Sequence, residues 1–134
     1  AERGVSACVD KLLSRVVSVD VSIKNVVMYN NQPLPRLYPT FWSSTLASNL
    51  SGAYYCCYYA SQLMPEGSKI INIGMAGLEG IRANVNGTDY FVSKTGLLVL
   101  TRALAAAHAQ RQIRVNMVSP GPLDNSVDLS LIHN

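Results

Sequence analysis

Three short apolar runs, rich in β-branched residues and set apart by longer helix-forming stretches, constrain this chain more than any other feature. They are "KNVVMYN" (24–30), "SKIINIG" (68–74) and "IRVNMVSPGP" (113–122). Breakers follow each of them ("NQPLPRLYP", "MAGLEG" and the Pro-Gly-Pro itself), so each reads as a buried strand that ends in a loop. Between and before them the period changes. Val5, Val9, Leu12, Leu13 and Val16 recur at helical spacing over Glu2–Val16. "TFWSSTLASNLSGAYYCCYYASQLMPEG" offers Thr40 or Ser43 as caps and carries an Asn-Leu-Ser-Gly interruption, which fits two helices or one kinked helix. Tyr90–His108 reads as one long helix. Strands alternating with helices predict an α/β fold, a parallel sheet of about three strands with flanking helices. At 134 residues the sequence is one domain's worth, taken as a single unit over 1–134. In such sheets function gathers at the carboxyl ends of the strands, here near Asn30, Gly74 and Ser119.

Charge and cysteine content narrow the function classes. Charged residues make up only 14% of the chain against 49% hydrophobic, so part of the surface is expected to meet a partner. The formal charge of +3 comes from scattered basic residues without a run, which argues against a nucleic-acid footprint. Cys8, Cys56 and Cys57 have no C-x-x-C spacing and no nearby histidine, so no metal set is expected, and a reduced, cytoplasmic setting is the simplest one. "GLLVLTRALAAA" is cut by Arg102 and too short for a bilayer, and "AERGVSACVDK" does not read as a signal peptide. No membrane association is expected.

"DYFVSKTG" (89–96) is the stretch with chemical potential. Tyr90 and Lys94 are four apart, so a helix brings them to one face. A phenol has a pKa of about 10, and a neighbouring ammonium favours its ionised form. Such a pair can exchange a proton with a carbonyl or alcohol oxygen while the carbon gains or loses hydride. Two amphipathic side chains covering the start of a helix give the same spacing.

The ordered set "WSSTLASNLSG", "KIINIG", "YFVSKTG", "LTRALA" and "IRVNMVSPG" resembles the short-chain dehydrogenase/reductase family, most closely its 3-oxoacyl-carrier-protein-reductase-like branch, from about Val19 to about Leu123. The resemblance implies a Rossmann-like doubly wound sheet, present in part. It also implies an NAD(P)(H)-dependent oxidoreductase acting on a small carbonyl or alcohol substrate, with NADP(H) favoured over NAD(H). By the same resemblance Tyr90 is the proton donor or acceptor, and Lys94 holds the nicotinamide ribose and lowers the tyrosine pKa. Asn49 holds a water in a proton relay, or bonds the backbone that its kink interrupts. Pro120 and Gly121 lie against the nicotinamide, and Asn30 takes the place of the family's strand-end asparagine, Lys24-Asn25 being the alternative. The helices over 51–64 and 90–108 would build a homodimer or homotetramer. There Tyr54 with Tyr58 and Tyr55 with Tyr59 form i,i+4 pairs on neighbouring faces, and plain core packing accounts for them equally well.

Three departures stand beside the resemblance. The family's Ala-Gly after its strand-end asparagines is absent. Gly74-Met75-Ala76-Gly77 carries no hydroxyl where the family places a substrate-orienting serine, and loss of such a donor costs about 10²–10³ in rate. Ser93, Thr88 or a backbone N–H is then expected to stand in, unless the protein is a catalytically impaired relative acting in assembly or binding. No counterpart of the Gly-rich phosphate fingerprint is found, Gly74-x-x-Gly77-x-x-Gly80 being followed by a polar loop rather than a helix. The chain therefore reads as the central, catalytic portion of a longer protein, without the first cofactor-binding strands and the C-terminal lid.

Overall fold

A computed structural model describes residues 18–78, 80 and 84–121, together with Ala7 and Lys11, which are helical. The expected Glu2–Val16 helix otherwise lies outside the described residues. Three strands form one parallel sheet in the order β1 (Val21–Lys24), β2 (Lys69–Ile73) and β3 (Arg114–Val118). The connections are α1 (Pro39–Leu46), a π-helical turn (Ala47–Ser51) and α2 (Gly52–Gln62) between the first two strands, and α3 (Thr88–Ala107) between the last two. The expected α/β arrangement of three parallel strands is thus observed.

Register decides which face each strand presents. Ile70 pairs with Ser22 and Val115, and Asn72 with Lys24 and Met117, so these six side chains share one side of the sheet. That side meets the helices. Ile70 and Val115 pack with Cys57 of α2, Met64 and Ile113, flanked by Ala60, Leu104 and Ala105, and Asn72 Nδ2 donates to Thr101 Oγ1 of α3 at 2.9 Å. On the opposite side Val21, Ile23 and Val118 are exposed. Toward the carboxyl ends of the strands the interior turns polar, with Asn72, Ser93 and Lys94 all buried, and Ser61 and Ser68 are buried polar residues away from them.

The first strand differs from expectation. It covers Val21–Lys24, and the more apolar run Val26–Tyr29 is irregular and exposed. Pairing with β2 stops at Lys24, opposite Asn72, because the chain then turns outward toward the segment before α3. There Leu34 N donates to Val85 O at 2.7 Å and Gly87 N to Gln32 O at 3.0 Å. The strand end is therefore Lys24-Asn25, and the preference for Asn30 at that place loses its structural premise.

The kinked-helix alternative for 39–62 is the observed one, α1 running through the π turn into α2. Its start is not Thr40 or Ser43. Tyr38 is the extended cap residue and Pro39 opens the first turn, where its fixed φ suits a helix and its missing N–H costs nothing. Before α3, Gly87 takes φ +65°, a left-handed conformation natural to glycine.

Candidate active site

The carboxyl end of β2 and the first two turns of α3 bring the sequence-predicted residues together. Lys94 is 1% exposed, an unusual state for lysine. Its Nζ donates to Ile73 O, the last residue of β2, at 2.7 Å, and lies 5.7 Å from the centroid of the Tyr90 ring. An ammonium has three protons, so the bond to Ile73 leaves two for other acceptors at the strand end. Burial lowers the Lys94 pKa from its ordinary value. Burial also raises that of Tyr90, and the phenol of Tyr29 adds to the rise. The direction for Tyr90 is opposite to that expected from a lysine neighbour. The physical reason is that desolvation of the phenolate dominates, while the ammonium sits beside the ring and against a carbonyl.

Asn49 occupies the π turn, and both protons of its side-chain amide are used. Oδ1 accepts from Met28 N at 2.7 Å, while Nδ2 donates to Met28 O at 2.8 Å and to Ser93 Oγ at 3.1 Å. The amide thus clamps the chain beyond β1 on both backbone groups, in place of the ladder that ended at Lys24. A π turn opens one helical turn by a residue, a device frequent at functional sites. Asn49 bonds the neighbouring Met28 backbone rather than the helix it interrupts, and no bond joins its amide to Lys94.

Two hydroxyls expected to replace the missing serine are engaged elsewhere. Ser93 Oγ donates to Tyr90 O at 2.7 Å and is fully buried, and Thr88 Oγ1 donates to Asn84 O at 2.7 Å. A hydroxyl has one proton to give, so neither retains one for a substrate oxygen. Met75 stands just beyond the strand end, half-buried.

Pro120 and Gly121 lie on the same side of the sheet ends. Gly74 N donates to Val118 O at 2.8 Å and Ala76 N to Pro120 O at 3.1 Å, which ties the loop after β2 to the turn after β3. A Cβ on Gly74 would stand 2.5 Å from Met117 Sδ and 2.8 Å from Ser119 Oγ, so a side chain there would require both to move aside. Nothing lies within 4 Å of a Cβ placed on Gly121 or Gly77. Asn30 is half-buried, its carbonyl close to Gly87 at the start of α3.

Sequence reasoning missed two contacts. Asp89, fully buried beside Tyr90, accepts from Thr45 Oγ1 at 2.6 Å and pins α3 to α1. An acidic residue in the first turn of a helix was the available signal. Tyr29 sets its ring against that of Tyr90 at 5.1 Å between centroids and 81° between planes, and no pattern in the sequence pointed to it.

The residues present suit the nicotinamide end of a dinucleotide. Lys94 keeps donors at the strand end, Tyr90 is adjacent, and the glycine at 121 leaves open room. For the pyrophosphate end, no helix among the described residues starts on a Gly-rich turn directly after a strand. None of the described helices is long and apolar enough to cross a membrane.

Comparison with known proteins gives a consistent set. The family model described as enoyl-(acyl carrier protein) reductase matches residues 1–131. A 3-oxoacyl-acyl-carrier-protein reductase FabG of Chlamydia pneumoniae is 28% identical over 131 residues, 98% of this chain and 53% of that protein. The short-chain dehydrogenase/reductase ABA4 of Pyricularia oryzae is 30% identical over 89% of this chain and 45% of its own length. Among solved structures, a blue fluorescent protein from a metagenomic library in complex with NADPH superposes with a TM-score of 0.86 at 30% identity, over 93% of this chain and 50% of that one. A short-chain dehydrogenase/reductase from Serratia marcescens gives 0.85 at 26% identity, over 92% and 50%. The chain spans about half the length of the curated relatives it matches.

Proposed function

The chain belongs to the short-chain dehydrogenase/reductase family, and from that premise we propose that it carries the proton-transfer half of an NAD(P)(H)-dependent carbonyl reductase, with Tyr90 as the acid. The observation that carries the reading is the buried Lys94 ammonium, held by Ile73 O at the end of β2 beside the Tyr90 ring. A lysine this buried is costly unless its charge is used. The raised Tyr90 pKa keeps the phenol protonated at neutral pH, which suits donation to a developing alkoxide during reduction.

Nicotinamide cofactor, when bound, supplies or accepts the hydride. Lys94, Tyr90, Pro120 and Gly121 would hold its nicotinamide end. Lys94 would orient the ribose, and its ammonium adds positive charge near the phenol. Asn49 fixes the Met28 backbone, and with it the segment that borders Tyr90. NADP(H) is favoured over NAD(H) by the NADPH complex of one structural relative and by the FabG-like branch, which also suggests a 3-oxoacyl thioester as substrate. A cytoplasmic location is part of the same proposal, on the reduced setting expected of the cysteines.

Nicotinamide absorbance with a panel of small ketones and 3-oxoacyl thioesters, run on the wild type and Tyr90→Phe, tests the reading. Turnover in the wild type that falls at least about a hundredfold in Tyr90→Phe supports it. Equal rates remove Tyr90 from catalysis.

A second reading is favoured by one observation, the occupied hydroxyls of Ser93 and Thr88 where no serine follows β2. It makes the protein a catalytically impaired relative whose helices serve assembly. Exposed Val92, Val99, Ala103 and Ala106 on α3 and Tyr54 and Tyr58 on α2 suit pairing with a second copy as a homodimer or homotetramer. Light scattering after size exclusion tests that pairing. A monomer throughout counts against it.

A further inference from the structure

Tyr29 lies outside the described strands and helices, yet its ring and the residue before it are both held in place. Its ring meets that of Tyr90 edge to face, at 5.1 Å and 81°, a geometry that aromatic quadrupoles favour. The residue before it, Met28, is held on both its N–H and its C=O by the Asn49 amide. The ring also lies close to Gly87, where an added Cβ would stand 3.2 Å from Tyr29 Cε2. Gly87 in turn opens the helix that carries Tyr90. Tyr29 is nevertheless 53% exposed, so part of its ring remains open to solvent beside Tyr90.

We propose that Tyr29 is a positioning residue for Tyr90: its ring, set by the Asn49–Met28 clamp and by Gly87, fixes the plane in which the Tyr90 phenol meets the substrate oxygen. The proposal rests on the reading of Tyr90 as the acid. It also adds a substrate consequence, because an exposed tyrosine face beside the acid forms a flat apolar wall for the group attached to the carbonyl. Among the described residues, the groups facing Tyr90 are Lys94 one turn along α3 and Tyr29 from the segment after β1, Asp89 being turned to Thr45 of α1. Of these, Tyr29 is the one whose phenolate charge opposes ionisation of Tyr90.

Three variants of the whole chain test this: Tyr29→Ala, Tyr29→Leu and Tyr29→Phe. Tyr29→Ala is expected to lower kcat about three- to tenfold, the equivalent of one ring contact. Tyr29→Phe, which keeps the ring, is expected to recover most of that loss, and Tyr29→Leu, which keeps bulk without a ring edge, to recover little. Separately from turnover, the Tyr90 phenol is titrated by NMR with ring-labelled tyrosine, assigned with Tyr90→Phe. Its midpoint is expected to fall in Tyr29→Ala, and to fall less in Tyr29→Phe. Wild-type kcat and an unmoved Tyr90 midpoint in Tyr29→Ala would overturn the proposal. A loss in Tyr29→Phe as large as in Tyr29→Ala would overturn the role of the ring in favour of the hydroxyl. If no carbonyl is turned over by the wild type, the reductase reading fails, and the titration still decides whether Tyr29 governs Tyr90.

Discussion

Replacing Asn49 by aspartate changes one NH₂ to one oxygen and leaves the shape of the side chain intact, so its effect isolates the donors of the clamp. The bond from Met28 N is retained. Those from Nδ2 to Met28 O and Ser93 Oγ are lost, at about 1 kcal/mol each. In their place a carboxylate oxygen faces the Met28 carbonyl across a 2.8 Å gap, and leaving such groups buried and unmatched adds about 1–3 kcal/mol. The expected loss is therefore about 3–5 kcal/mol at pH 7, a large share of the 5–15 kcal/mol typical of a whole domain. Urea unfolding followed by far-ultraviolet circular dichroism reads it directly. With a slope of about 1–3 kcal/mol per molar urea, the midpoint should fall by at least about 1 M. Acidification below the carboxylate range of about 4 should narrow the gap to wild type, because a protonated carboxyl regains one donor. A variant within about 1 kcal/mol of wild type at pH 7, or a gap indifferent to acid, would refute the clamp.

Lys94 and Tyr90 pull stability in opposite senses with pH. Burial lowers the Lys94 pKa, so below its ordinary value of about 10 the unfolded chain binds more protons, and stability climbs as pH rises through that window. Burial raises the Tyr90 pKa, so its contribution is intact below about 10 and is lost as pH rises through the folded value. Denaturant midpoints across pH should show Lys94→Met flattening the climb and Tyr90→Phe removing the alkaline loss. Gly87→Ala forces a side chain into φ +65° against the Tyr29 ring. It should cost about 1–2 kcal/mol by thermal melting, and a neutral outcome would deny the left-handed turn. Gly74→Val places carbon where Met117 Sδ and Ser119 Oγ already stand, so a loss of about 1–3 kcal/mol is expected in the same assay.

Much of this was legible in the sequence, for physical reasons that differ by element. β2 and β3 were readable because Ile70, Ile113 and Val115 are core residues with breakers close behind. Tyr90 and Lys94 were readable as neighbours because helical geometry alone brings i and i+4 together. β1 was misread because apolar content is no guarantee of burial. Val26 is 70% exposed, while the strand itself is the alternating "VSIK", aligned by its pairing with β2. The π turn was legible only as an interruption, since its partner Met28 is distant in sequence. The direction of the Tyr90 shift was not legible at all. It depends on how deeply the phenol is buried, and on a second tyrosine that reaches it from another segment.

The buried positions of the long kinked helix are Thr45, Asn49, Ala53, Cys57 and Ser61, every fourth residue. At about 100° per residue, steps of four drift by about 40° each, so an uninterrupted α-helix would carry Ala53 about 80° around from Thr45. The π turn absorbs one residue without rotation and brings that offset back to about −20°. It acts as a phase corrector, letting one stripe of side chains serve Asp89 and Met28 at one end and the sheet core at the other. Deleting a single residue such as Leu50 would therefore be expected to close the π turn to an α turn and keep Cys57 and Ser61 in step with Thr45. Its cost would fall instead on the widened turn that carries Asn49 and holds Met28.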